Sequence, residues 1–225
     1  ILKDYFIIFK QLNSNGYFII NNSDSNIVKK NYSKLISKYT KTGIGPKPIT
    51  LTKKTIHNMI LPTDLTKTLE DPLSNNIYYK ITEKADGERY IMYIDKLGII
   101  YLINDNKKLI LTGLKLDLSI EKHNKFINSI LDGEYLYYDK KYSYKYFDIY
   151  ILNNNKIFDT PLLNRIKYMN ELDEILNSNK IIKYQNKDKY IICSAKLYHD
   201  INKINELSEK DKYPYHIDGF IFMPT

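Results

Sequence analysis

The chain has 225 residues, with 34 Lys and Arg against 26 Asp and Glu, a net charge of +8, and it is 43% hydrophobic and 27% charged. That is enough apolar material for one core or two small ones, which excludes a disordered chain, and the positive balance favours a polyanionic partner. No apolar run approaches the ~20 residues of a membrane span, and the single Cys193 excludes an internal disulfide, a pattern that suits a reducing, cytoplasmic setting without a membrane.

Only Arg89 and Arg165 are arginines, so 32 of the 34 basic residues are Lys. Lys, Asn, Ile and Tyr share AT-rich codons, and their abundance reads as mutational bias. An Arg, Ala or Gly retained against that drift is correspondingly informative, and Ala85, Gly87 and Arg89 fall together. The chain begins at Ile1 with neither an initiator Met nor a signal-peptide layout and stops at Pro224-Thr225, which reads as a fragment of something longer.

In chain order, Ser14 to Asn26 is polar enough for a surface loop, and Ser25 to Tyr39 is the first predicted helix. The segment Gly43-Ile44-Gly45-Pro46-Lys47-Pro48 is too rich in Gly and Pro for helix or central strand, and it marks a subdomain edge or a loop near a ligand. Further helices are expected over Ser119 to Leu131, Thr160 to Asn177 and Ser194 to Lys210, each opened by a hydroxyl residue able to cap free amides. In the third helix Thr160 is placed to cap, Pro161 fits the first helical position, and Leu162, Ile166, Met169 and Leu176 make an apolar core stripe. Eight short strands are expected, at Ile77 to Thr82, Tyr90 to Asp95, Ile99 to Ile103, Leu109 to Thr112, Glu134 to Tyr138, Tyr144 to Ile151, Tyr190 to Ile192 and Ile217 to Phe222, with Asn153 to Asn155 a surface loop. Tight turns between several of them argue for antiparallel sheets with helices on their outer faces, an α+β fold in one compact unit.

Three glycines follow an aspartate between strand-like runs: Asp86-Gly87, Asp132-Gly133 and Asp218-Gly219. Taken singly, each reads as a hairpin turn. In Lys84-Ala85-Asp86-Gly87-Glu88-Arg89, however, a lysine at a strand end with apolar sequence behind it is placed to be desolvated, to lose its proton near neutral pH and to act as a nucleophile. Arg89 would offer a planar fork to phosphate or ribose oxygens. Two strand-end carboxylates, at Asp132 and Asp218, would hold a divalent cation near a nucleotide. Phe147, in Tyr146-Phe147-Asp148, offers an aromatic face for a base, with core packing the equal alternative. His57, His123, His199 and His216 lack metal-ligand spacing, so His216 is read as a surface or loop residue.

Together these segments resemble the covalent nucleotidyltransferases, the family of mRNA guanylyltransferases and polynucleotide ligases. Its nucleophile motif K-x-D-G-x-R is matched by Lys84, Asp86, Gly87 and Arg89, its D-G-E motif by Asp132 to Glu134, its aromatic-Asp motif by Phe147-Asp148, and its fourth motif by Asp218-Gly219-Phe220. All four stand in family order, over about Ile77 to Thr225. The run Asp218-Gly219-Phe220-Ile221-Phe222 followed by Pro224 is similar to the capping enzymes, whereas ligases generally carry Glu there and end in Lys.

The resemblance implies a DNA-ligase-type, ATP-grasp-like nucleotidyltransferase domain over residues 43–225, truncated after the fourth motif and lacking the C-terminal OB-fold. Residues 1–42 would form its N-terminal shell or the end of a preceding domain. It implies Lys84 as nucleophile towards GTP, with Arg89 and Glu134 on the ribose and Phe147 on guanine. Asp86 would fix the turn, and Glu134 with Asp218 would hold Mg²⁺ or Mn²⁺. Partners would be a 5′-diphosphate RNA and triphosphatase and methyltransferase domains in the same or another chain. The composition resembles that of large cytoplasmic DNA viruses or cytoplasmic linear plasmids, which would place the protein in the cytoplasm, in a viral factory or in a virion. An ATP-dependent RNA or DNA ligase using the same Lys84, and a non-catalytic nucleic-acid-binding module, are the alternatives.

Overall fold

The computed structural model describes residues 22–39, 79–184, 190–208 and 212–225. The Gly- and Pro-rich segment 43–48 lies outside them. Chain order runs α1 (Asn22–Ser37), β1 (Tyr79–Ala85), β2 (Glu88–Ile94), β3 (Ile99–Ile103), β4 (Leu109–Lys115), a 3₁₀ turn (Glu121–Phe126), β5 (Ser129–Tyr138) and β6 (Lys141–Leu152). It continues with β7 (Asn155–Lys156), α2 (Leu162–Leu176), β8 (Ile182–Lys183), β9 (Ile192–Ala195), β10 (His199–Asp200), a 3₁₀ turn (Ile201–Lys203), α3 (Ile204–Leu207) and β11 (Ile217–Pro224). The α+β fold with antiparallel sheets is therefore observed.

Two sheets form. The larger has the order β7-β6-β5-β2-β3-β4-β8, with β9 pairing β6 off that path as the parallel member, and the smaller has the order β10-β1-β11. The larger sheet is covered on both faces, which is why β3 is an unbroken apolar run, every residue buried, instead of an alternating one. On one face Tyr90, Met92, Ile94, Ile100 and Leu102 pack with Met169, Leu172 and Ile175 of α2. On the other, Ile91, Tyr93, Tyr101 and Ile130 pack with Val28, Tyr32, Leu35 and Ile36 of α1, whose spacing places them on one helical face. Each such side chain contributes about 1.5–3 kcal/mol by leaving water.

Several local expectations change. No helix spans 119–131: Ile127 is extended at φ −66 and ψ 152, which ends the 3₁₀ turn, Asn128 follows with φ +49, and β5 begins at Ser129, not at Glu134. Residues 194–208 are likewise not one helix, because 192–195 are drawn into pairing with β6, a long-range contact that no local pattern encodes. Residues 22–26, expected in a loop, are helical. The α2 stripe is core as expected, but Pro161 occupies the N-cap position, and the Thr160 hydroxyl donates to the Ile157 carbonyl at 2.7 Å instead of capping the helix. Among the described residues eleven strands stand where eight were expected, since β7, β8 and β10 are two residues each.

The Asp-Gly pairs are not hairpins. Asp86-Gly87 carries the chain from the small sheet into the large one, Asp132-Gly133 lies inside β5, and Asp218-Gly219 lies inside β11. The two-residue hairpins use Asp139-Lys140 between β5 and β6 and Asn153-Asn154 between β6 and β7, all four with positive φ. A chain this rich in Asn makes left-handed turns without glycine.

Candidate active site

The site residues come from facing parts of the two sheets. Lys84, near the end of β1, sits opposite Gly219 of β11, and the pairing shifts register immediately after it. Gly219 has φ +137, a conformation that L side chains rarely adopt, so glycine is needed at this irregularity. The neighbouring Asp218 reaches back, and Lys84 Nζ meets its Oδ2 at 2.6 Å. The pair is open to solvent, with side chains 52% and 42% exposed. The hydrogen bond to Asp218 raises the Lys84 pKa above its ordinary value, and the same bond lowers that of Asp218. The expectation of a desolvated, deprotonated Lys84 is therefore overturned. The lysine lies exposed near the end of β1 and keeps its proton on a carboxylate partner.

A second lysine has the environment expected for the first. Lys196, just past β9, is 2% exposed and donates to the Glu83 carbonyl at 3.0 Å. Burial lowers its pKa, with Glu83 and Glu134 opposing that shift. The Glu134 carboxyl is pushed up to about 7, chiefly by burial, with the charge of Lys196 the largest opposing effect and the charges of Lys84 and Arg89 also acting on it. Its Oε2 is buried with no hydrogen-bond partner. Sequence reading missed Lys196, having placed it inside a helix in a chain where one more lysine carries little information.

Two β-bulges in β6 shape the same region. Pairing with β5 jumps from Ile151 to Ile149 and from Asp148 to Tyr146, so Tyr150 and Phe147 are the extra residues. Bulges re-aim side chains, and both of these are aimed at charged groups. The Tyr150 hydroxyl donates to Asp132 Oδ2 at 2.6 Å, and Lys196 Nζ lies 5.2 Å from the centre of the half-buried Phe147 ring. Phe147 joins neither core cluster, which favours the aromatic-face reading over core packing.

The arginines are committed elsewhere. Arg89 forms a bidentate fork on Asp132, 2.9 Å from Nε to Oδ1 and 2.7 Å from Nη2 to Oδ2. Arg165, at the start of α2, holds Asp148 from Nε at 2.7 Å and also donates to the Phe158 and Thr160 carbonyls. Asp132 and Asp148 are opposite each other on β5 and β6, 2% and 5% exposed, so each buried carboxylate is neutralised by one of the chain's two arginines. The scarcity of Arg was a signal that covered Arg165 as well as Arg89. At Gly133 a Cβ would lie 2.5 Å from the Lys145 carbonyl and 2.6 Å from the Tyr144 ring, so the Asp-Gly pair permits close strand approach where a turn was expected.

A third group surrounds Asp218. His216 Nδ1 is 3.2 Å from Asp86 Oδ2 and 3.9 Å from Asp218 Oδ1, all three side chains being exposed. Asp86 is tied to this segment through its backbone amide, which donates to the His216 carbonyl at 3.0 Å. Asp218 is thus grouped with Asp86 and His216, while Glu134 faces Lys196. His216 was legible only as His-x-Asp, a spacing that puts both side chains on one side of an extended strand.

The site therefore brings together an exposed lysine on a carboxylate, a buried lysine near a second carboxyl group, and an aromatic face. The model of the family "mRNA capping enzyme, catalytic domain" matches residues 15–225, and the chain belongs to that family. No curated protein matches the sequence. Similar solved structures include the ligase domain of M. tuberculosis LigD and mycobacterial DNA ligase D complexed with ATP and MES, each at 14% identity and TM-score 0.42. Each match covers 65% of this chain and 48% of the other, so it spans about half the length of those ligase chains.

Proposed function

We propose that this chain is the guanylyltransferase domain of an mRNA 5′-capping system, residues 43–225 carrying the chemistry and α1 serving as its N-terminal shell. The Lys84 amine attacks the α-phosphorus of GTP, the bond to the bridging oxygen breaks, and pyrophosphate leaves with that electron pair. The product is a lysine–GMP phosphoramidate. A β-phosphate oxygen of a 5′-diphosphate RNA then attacks the same phosphorus, and the lysine nitrogen leaves and recovers its proton. The observation that carries the reading is Lys84 held on Asp218 across β1 and β11, within a chain whose capping-family match covers both residues.

The residues divide the work. Asp218 holds Lys84 in place and charged, so its attack requires that the carboxylate be drawn away and the proton lost. Glu134 accepts ribose hydroxyls once ionised, Phe147 stacks on the base beside Lys196, and Asp86 fixes the link between the sheets. Arg89 serves this site through Asp132, holding β2 against β5, where Arg89 itself stands opposite Glu134. Charge accumulates on phosphate oxygens, so catalysis depends on fixed cations and in-line positioning. Asp86, His216 and Asp218 offer ligand atoms all within 4.8 Å of one another, a set that fits Mg²⁺ or Mn²⁺, which would supply further neutralisation of phosphate charge.

Incubation with α-labelled GTP or ATP and a divalent metal tests this reading, followed by addition of a 5′-diphosphate RNA. Label from GTP that is acid-labile on the protein and moves to the RNA end is expected. Labelling from ATP alone would make the chain a ligase-type adenylyltransferase.

A further inference from the structure

His216 makes and breaks no bond in the transfer at Lys84, and its one offered role is as a cation ligand. It stands between two carboxylates from different parts of the chain, Asp86 in the link between β1 and β2, and Asp218 in β11. The backbone bond from Asp86 to His216 fixes the two segments to each other, so the three side chains are held together by main chain as well as by mutual attraction. The carboxylate of Asp218 is divided: Oδ2 takes Lys84 at 2.6 Å, while Oδ1 faces His216 at 3.9 Å.

We propose that His216 Nδ1, Asp86 Oδ2 and Asp218 Oδ1 form a three-ligand site for one borderline divalent cation such as Mn²⁺, bound without nucleotide and bridged to Lys84 by Asp218. This rests on the reading above for its catalytic meaning, but not for its existence. Metal–ligand bonds of about 2.1 Å put neighbouring ligand atoms about 3 Å apart and opposite ones about 4 Å apart. The observed separations of 3.2 and 3.9 Å, with all atoms within 4.8 Å, require only small side-chain adjustments. Two carboxylates alone suit Mg²⁺ and Ca²⁺, whereas adding an imidazole shifts preference towards Mn²⁺ and the later transition metals. His216 is thus the specificity-determining ligand. The remaining coordination positions face solvent, where water or a phosphate oxygen can enter.

The test uses the full chain, Mn²⁺ alone and no nucleotide. Titration followed by electron paramagnetic resonance gives the affinity, and pulsed measurement of the bound ion reports whether a nitrogen is coordinated. The wild type is expected to bind one Mn²⁺ with a nitrogen signature, displaced by Mg²⁺ only at large excess. His216→Ala is expected to lose that signature and to weaken Mn²⁺ binding about tenfold or more. Asp86→Asn should weaken binding yet keep the signature, and His199→Ala should change neither. A nitrogen signature that survives in His216→Ala, or a wild type that binds Mn²⁺ no better than that variant, overturns the proposal. GTP labelling on the same preparations separates the two readings. A nitrogen-ligated ion without labelling would retire guanylyl transfer and keep the site, and labelling without a nitrogen-ligated ion would do the reverse.

Discussion

The large and small sheets handle charge in opposite ways. Within the large sheet, Asp132 and Asp148 are buried, and each is gripped by an arginine fork whose geometry is fully used inside the protein. At the small sheet, Lys84 and Asp218 meet in the open through one hydrogen bond that water or a ligand can replace. Buried pairs cost several kcal/mol to break because each leaves an uncompensated charge, while exposed pairs are worth little. The scaffold therefore fixes its charges where they cannot be exchanged, and the candidate chemistry lies where they can.

Substitutions sharpen this contrast. Lys84→Ala should have the largest effect on activity, abolishing covalent labelling, while its urea midpoint stays close to that of the wild type because the ion pair is exposed. Arg89→Ala should reverse the pattern in the denaturation curve, losing about 3–5 kcal/mol by stranding Asp132 in the sheet. Equal losses of stability in these two variants would remove the distinction between the sheets. Gly133→Ala should cost about 1–3 kcal/mol, since its Cβ would press on the Lys145 carbonyl and the Tyr144 ring, and thermal unfolding would report it.

The smallest expected effect belongs to Glu134 and depends on pH. Its pKa in the folded protein is raised from 4.5 to about 7, so the folded state holds the proton more tightly than the unfolded one. The sign follows: stability from this group is full below the unfolded value and is lost as pH rises through about 7. Glu134→Gln should flatten that decline and gain about 1–2 kcal/mol at alkaline pH after allowance for partial solvent screening, measured by urea unfolding on both sides of neutrality. If labelling needs the ionised carboxylate, its rate in the wild type rises through the same range.

Much of the site was legible because its motifs are local. Lys84, Asp86 and Arg89 lie within six residues, and Asp218-Gly219 lies in a short strand-like run. The α2 stripe was legible because one helical face sets its spacing. What sequence could not supply came from long-range pairing. β9 forms against β6, some fifty residues away, and only that pairing delivers Lys196 to Glu134 and Phe147. The bulges at Tyr150 and Phe147 exist only as mismatches between β5 and β6. Asp-Gly was over-read as a turn because its preference for left-handed backbone is only one reason for glycine, and close packing at Gly133 is another.

The central claim is that the exposed, ion-paired Lys84 carries the nucleotide, even though the buried Lys196 has the lowered pKa. Peptide mapping of the protein after incubation with GTP and Mn²⁺, under conditions that preserve a phosphoramidate, tests it directly. The account predicts GMP on the peptide containing Lys84. GMP on the peptide containing Lys196 would contradict it, and so would an intact, folded protein that takes up no nucleotide.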